Sequence, residues 1–303
     1  MAKRTLQELN LLDDFLFGSV VSYPNIGEIF VRELLNTILG KTFESLTIIP
    51  QKTYYGSDTE MHGARLDVYL EASIESQDIQ GNTTVYDVEP DQNDNSRDKK
   101  ALPKRMRFYH AKIDAGSLEA GESYQNLKNV VVILITPYDP FEEDHVLYTV
   151  RNRCDEIPEM PYEDGACTLY LYTKGKKGNV SEGLRQLLRY MEHTTGENVC
   201  NESLQKIHRM VETVKRDGRL EVEYMKVFER EEMLINKGRR EGREAEIANT
   251  ERERKRAEEA ESNMERERKR AEEAESNTER ERKRAEEAEK EVHRLRDELE
   301  KLR

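Results

Sequence analysis

Two neighbouring segments carry the residues most suited to chemistry: ARLDVYLEA (64–72) and TTVYDVE (83–89). The first alternates Leu66, Val68 and Leu70 against Arg65, Asp67 and Tyr69. The second is β-branched and aromatic and sets Asp87 and Glu89 on one side. Both patterns predict strands. A hairpin turning near Asp78 and Ile79 brings Asp67 opposite Glu89 to within a residue or so. Directly opposed side chains lie about 5 Å apart. Two acids at that separation repel unless one is protonated or a cation sits between them. Magnesium suits such a place, because it takes one or two carboxylates together with waters and phosphate oxygens. The plainer reading pairs Asp67 with a nearby Arg and leaves Glu89 on a solvated edge. Spacing alone leaves both open.

A basic segment follows. From Arg97 to Lys112 the chain holds Arg97, Lys99, Lys100, Lys104, Arg105, Arg107 and Lys112 against one acid, Asp98. The whole chain carries a formal charge of −13, which excludes a globally basic nucleic-acid binder but not a local patch. A cationic helix beside an acidic metal pocket would hold a phosphate backbone over the metal. An ordinary solvated helix face is the alternative. The six histidines are scattered, so no Ser/His/Asp arrangement can be argued, and no Walker-type glycine loop is present. Cys154, Cys167 and Cys200 lack C-x-x-C spacing and suit a reducing cytoplasm.

The elements that must position these residues can be read from periodicity. Asn25 to Leu39 places Ile29, Phe30, Leu34 and Ile38 at helical spacing, and Gly40 stops the helix. Pro90 cannot donate to a ladder, so the second strand ends there or runs along an edge. Pro103 suits the first turn of a helix reaching about Ala115. Met106, Tyr109 and Ile113 form its apolar side, with Lys104, Arg105, Arg107 and Lys112 opposite. VVVILI (130–135) has the continuous apolar character of a central strand covered on both faces. Further strands are expected at 147–150 and 169–172, and helices at 181–192 and 203–215. The order indicates an α/β domain with a mixed sheet. No apolar run approaches about 18 residues, so no membrane span is expected. The opening MAKRTLQELN has no apolar core of the kind a secretory signal needs.

The C-terminal part is a repeat. TERERKRAEEAESN begins at Thr250, MERERKRAEEAESN at Met264 and a third copy at Thr278, a period of fourteen, or two heptads. Heptad position a falls at Ala257, Met264, Ala271, Thr278, Ala285, Val292 and Leu299. Position d falls at Ala260, Glu267, Ala274, Glu281, Ala288, Leu295 and Leu302. One reading is a coiled coil joining a homodimer; the other is a single solvated helix held by charge pairs. The expected organisation is a domain at 1–217, a connecting helix at 218–248 and the repetitive charged helix at 249–303.

The segments LLDDFLFGSVV, GARLDVYLEA, YDVEP, LPKRMRFYHAKID, VVVILITPYDPF and LYLYTKG, in that order, resemble the PD-(D/E)XK nuclease family transposases, also called recombination-promoting nucleases. The resemblance spans roughly residues 8 to 235. It implies a restriction-endonuclease-like αβββαβ core with a mixed sheet. The activity it implies is a DNA endonuclease that hydrolyses phosphodiesters with Mg²⁺, or Mn²⁺ in its place. It matches Asp67 in RLDV to the first metal-holding acid and Glu89 in YDVEP to the second, and puts the basic helix from Pro103 against DNA. Lys99, Lys100, Lys104, Arg105 and Arg107 are the expected DNA contacts. The motif has Lys or Gln two places after its second acid, and this chain has Asp91 there. Gln92, Lys99 or Lys100 could fill that role; with it unfilled, the chain would be a nuclease-like DNA-binding or interaction module that does not cut.

Overall fold

The computed structural model describes residues 4–43, 45–50, 53–54, 64–65, 68–73, 83–94, 96–118 and 121–301. The chain forms two compact units, Met1–Val227 and Phe228–Arg303.

The first unit is an α/β domain whose layout follows from one strand. β6 (Asn129–Thr136) is the VVVILI segment. It lies between β5 (Thr84–Pro90) and β8 (Ala166–Tyr172) and is parallel to both. Beyond β5 comes β4 (Val68–Ser73), then β1 (Ser45–Pro50), each antiparallel to its neighbour. Beyond β8 comes β7 (Leu147–Val150), antiparallel. The sheet order is β1-β4-β5-β6-β8-β7, a mixed sheet as expected. Two short strands, β2 (Thr53–Tyr54) and β3 (Ala64–Arg65), pair with each other apart from it.

Alternation along the strands divides two cores. Tyr86, Val88, Ile133, Ile135, Leu169 and Leu171 face a helical layer. That layer comprises α1 (Asp14–Val21), α2 (Gly27–Leu39), α4 (Glu182–Glu192) and α5 (Glu202–Lys215). Val85, Val130, Val132, Leu134 and Tyr170 face the other way, against Leu102, Met106 and Ile113 of α3 (Ser96–Ala115). α3 is the crossover between the parallel strands β5 and β6.

The helix ends follow local chemistry. Asp13, Ser181 and Asn201 accept the backbone N–H of Phe15, Leu184 and Leu204 and so cap α1, α4 and α5. Gly40 ends α2 at φ 62°, where a side chain would be strained. Thr194 ties the turn after α4 to the N-terminal segment: its hydroxyl accepts from the Leu11 N–H, and its own N–H donates to Asn10 Oδ1. Nearby, the buried Lys215 ammonium donates to the Gln7 carbonyl, and burial pulls its pKa down.

Several expectations need correction. α3 starts at Ser96, so Pro103 sits inside it rather than in its first turn. An interior proline forfeits a helix hydrogen bond, but burial of Leu102 beside it holds the upstream turns on the sheet. The segment expected as one strand over 64–72 divides between β3 and β4, and residues 66–67 and the expected connection at 74–82 lie outside the described residues. α1 carries little periodicity because it is buried on most sides, with Leu16, Phe17, Gly18, Val20 and Val21 all inaccessible. β1 is a short apolar run that spacing did not separate from a loop. Pro90 does end β5, as the last residue in register with β6, opposite Ile135.

The second unit lies on α6 (Gly218–Lys301), which is one continuous helix. Leu220 and Tyr224, at its start, pack on the core of the first unit, where the Tyr224 and Phe15 rings are 5.1 Å apart. From Phe228 onward the described side chains are almost all exposed.

Met106 anchors α3 to the sheet. Met106→Ala is expected to lower unfolding stability by about 2–5 kcal/mol. Urea denaturation followed by far-UV circular dichroism checks it.

Candidate active site at the carboxyl end of β5

The same alternation that divides the cores sets Asp87 and Glu89 on the α3 side of β5, in line with Val85. Asp87 is fully buried and Glu89 is 6% exposed. Their partners across the parallel ladder are Val132 and Leu134, so both carboxylates stand beside apolar neighbours. The hairpin register is Tyr69 opposite Asp87 and Leu70 opposite Tyr86. Asp67, the expected first acid, lies outside the described residues, as does His62.

β5 is also where the sheet changes direction, antiparallel to β4 and parallel to β6. In open α/β sheets, ligands commonly sit beyond the carboxyl ends of the parallel strands. Here that end is built by Asp91. With no donor at Pro90 the ladder stops after one more bond, from the Asp91 N–H to the Ile135 carbonyl, 2.9 Å. The Asp91 side chain then turns the chain over: Oδ1 accepts the Asn93 N–H at 2.7 Å. Oδ2 accepts from Arg105 Nη2 at 2.6 Å and from the Tyr138 hydroxyl at 3.2 Å. Tyr138 follows the end of β6 and is held there by Thr136, whose hydroxyl donates to the Tyr138 carbonyl at 2.7 Å.

The electrostatics are those of a closed, low-dielectric cluster. Burial, then the Asp91 charge, pushes the Tyr138 phenol far above its ordinary range, so it stays a donor. Burial works against the Arg105 guanidinium, but the Asp91 carboxylate outweighs it and the net shift is upward. The guanidinium also lies 5.9 Å from the Tyr109 ring centre. Lys99 pairs with Asp94 and stands 4.9 Å from the Tyr138 ring centre.

The basic residues therefore separate into two groups. Lys100, Lys104 and Arg107 are exposed on α3. Arg105, expected on that outer side, is turned inward to Asp91, and Lys99 is half-buried at the same end of the sheet. Gln92 is exposed in the turn between β5 and α3. Asp91, which sequence reading treated only as a departure from a motif, is the anchor of this end of the sheet. Tyr138 was not singled out at all, although its place just after a central strand was a usable signal.

A second polar contact ties α3 to the sheet further along. His110 Nε2 lies 2.9 Å from the Thr168 hydroxyl of β8, and the other ring nitrogen is buried with no hydrogen-bond partner among the described residues. Burial lowers the imidazole pKa, partly offset by the Asp164 charge.

Among the described residues, no group of three or more His, Cys, Asp or Glu side chains is placed to hold a metal ion. Asp87 and Glu89 are nevertheless hard oxygen donors on one strand face, the kind and number of protein ligand that magnesium takes. Among the described residues, no helix is long and apolar enough to cross a membrane. The three cysteines are free. No family model, curated protein or solved structure matches this chain.

Two expectations follow. Arg105→Met leaves Asp91 buried with an uncompensated charge and should cost about 2–4 kcal/mol. Adding Asp91→Asn should recover part of that loss, giving a coupling of about 1–2 kcal/mol in a double-mutant cycle of urea melts. The second concerns pH. The unfolded chain binds the His110 proton more readily than the folded one, because the folded pKa lies below the ordinary value of about 6.5. Its contribution to stability is therefore complete above about pH 6.5 and is lost as pH falls toward the folded pKa. Comparing thermal melts of wild type and His110→Gln between pH 5 and 7 checks this; the variant should show the shallower slope.

Proposed function

We propose that this chain is a magnesium-dependent DNA endonuclease of the PD-(D/E)XK type. The observation that carries the reading is the pair of buried carboxylates, Asp87 and Glu89, toward the carboxyl end of β5, where the parallel part of the sheet begins. They lie beneath a helix that presents Lys100, Lys104 and Arg107 to solvent. Burying two acids side by side on one strand costs stability, and such a cost is commonly borne where charge has work to do. The resemblance assigns the metal to Asp67 and Glu89. Magnesium, when bound there, lowers the pKa of a water and offsets charge on the scissile phosphate. Lys100, Lys104 and Arg107 would position the strand through its phosphates, without reading bases. Lys99, beside Asp94 and the Tyr138 ring, is the cation this reading assigns to orient an attacking water where the motif's own lysine is missing.

One observation favours a second reading. Asp91, at the motif's Lys position, is locked to Arg105 and Tyr138. A carboxylate so engaged cannot orient a nucleophile as a lysine would, which suits a nuclease-like module that binds DNA without cutting it.

Supercoiled plasmid incubated with protein and Mg²⁺ or Mn²⁺ separates the two. Nicking by wild type, abolished in Glu89→Gln and Asp67→Asn, is expected. Equal nicking by all three would mean a contaminant, and no nicking by wild type with DNA binding retained would establish the second reading. Binding itself should fall steeply with salt. Lys104→Glu with Arg107→Glu should weaken it across all sequences and reduce the salt slope by about 2. A gel-shift salt series measures both.

A further inference from the structure

We propose that the tail of α6 is a docking surface for a second copy of this chain, seated parallel and in register. The helix carries large apolar side chains that are exposed to solvent. Met264 is 66% exposed, Val292 52% and Leu295 51%. All three fall at heptad positions a or d, the seam of a coiled coil.

The charges identify the occupant. The repeats make recurring ion pairs along their own helix. Arg254–Glu258, Arg268–Glu272 and Arg282–Glu286 join positions e and b. Lys269–Glu265 and Lys283–Glu279 join f and b. Six flanking charges are left over: Arg256, Arg270 and Arg284 at g, and Glu261, Glu275 and Glu289 at e. Among the described residues none of these six forms an ion pair. Glu261 and Glu275 cannot find one in their own helix. One turn away from Glu261 stand Ala257, Glu258, Met264 and Glu265, and Glu275 repeats the arrangement. Like charges at that spacing destabilise a lone helix.

In a parallel, in-register pair, the g position of one heptad meets the e position of the partner's next heptad. Arg256 then meets the partner's Glu261, Arg270 the partner's Glu275 and Arg284 the partner's Glu289. In the last heptads both signs reverse together, so Glu291 meets the partner's Arg296 and the contact still attracts. The intervening contacts pair Asn263 and Asn277 with arginines, so none of these flanking contacts repels. An antiparallel pair centred on Arg270 would set g against g, with Arg270 on its own copy and Arg256 on Arg284, and one overlapping along the whole tail would lay each copy's Val292 and Leu295 against the other's repeats. Glu267 and Glu281 at d face their own copies. Those two contacts repel and keep the repeats weak, so the g-to-e contacts set the register while the apolar heptads at the end supply strength.

Light scattering of the full chain at micromolar concentration should give twice the chain mass. A triple variant, Glu261→Arg, Glu275→Arg and Glu289→Arg, should dimerise about tenfold more weakly or worse. The same changes give each new arginine at least one glutamate one turn away, so its helix content should not fall; loss of helix cannot then explain the lost dimer. Mixing it with Arg256→Glu, Arg270→Glu and Arg284→Glu should restore a dimer. Met264→Cys in a Cys154→Ser, Cys200→Ser chain should cross-link on oxidation. A monomer mass for wild type, an undiminished dimer for the first triple variant, or no recovery on mixing would overturn the proposal. A dimer that fails to cross-link at Met264→Cys would overturn the parallel register.

Discussion

The first unit is arranged around β6, a strand that cannot expose either face. Val130, Val132 and Leu134 on one side and Ile133 and Ile135 on the other must all leave water. That constraint calls for a helical layer on each side and for parallel neighbours joined by a crossover, since parallel strands cannot be linked by a tight hairpin. α3 is that crossover. Once it lies across β5 and β6, every second residue of β5 is under it, including Asp87 and Glu89. The two acids are buried because of β6, and the site inherits its position from the core.

Beside them, Asp91 shows how such charge is tolerated. A buried ion pair is a weak source of stability by itself, because desolvation takes back much of the attraction. Its value is in fixing geometry. Asp91 accepts from a backbone N–H, a guanidinium and a phenol on three separate segments, and so defines where β5 ends, where α3 lies and how the chain leaves β6. The sheet's carboxyl end is held by polar contacts of defined direction, whereas its middle is held by apolar area without direction.

The second unit rests on the opposite physics. Its described side chains form no core, and its described ion pairs run along one helix between exposed side chains. Each contributes a few tenths of a kcal/mol and weakens with salt. Regular repetition of strong helix formers, with no Pro or Gly through the repeats, keeps the helix continuous.

Local pattern in the sequence determined a good deal. VVVILI marked the central strand because only a doubly covered strand can be apolar without alternation. The helices at α2, α4 and α5 showed in their spacing and their caps, and the charged tail in its period. Asp87 and Glu89 could be placed on one side of a strand from period two alone. The buried helix α1 and the short strand β1 left little trace, since an element with no solvent face has no polar rhythm. Tertiary structure alone decided which cations of α3 reach solvent: Arg105 and Arg107 look alike in sequence, yet Asp91, fourteen residues before Arg105, draws only the first inward. The same holds for Asp91 and Tyr138, whose partnership spans 47 positions of chain. Spacing encodes which side of an element a residue occupies; only the packing of elements against one another determines which distant charge it meets there.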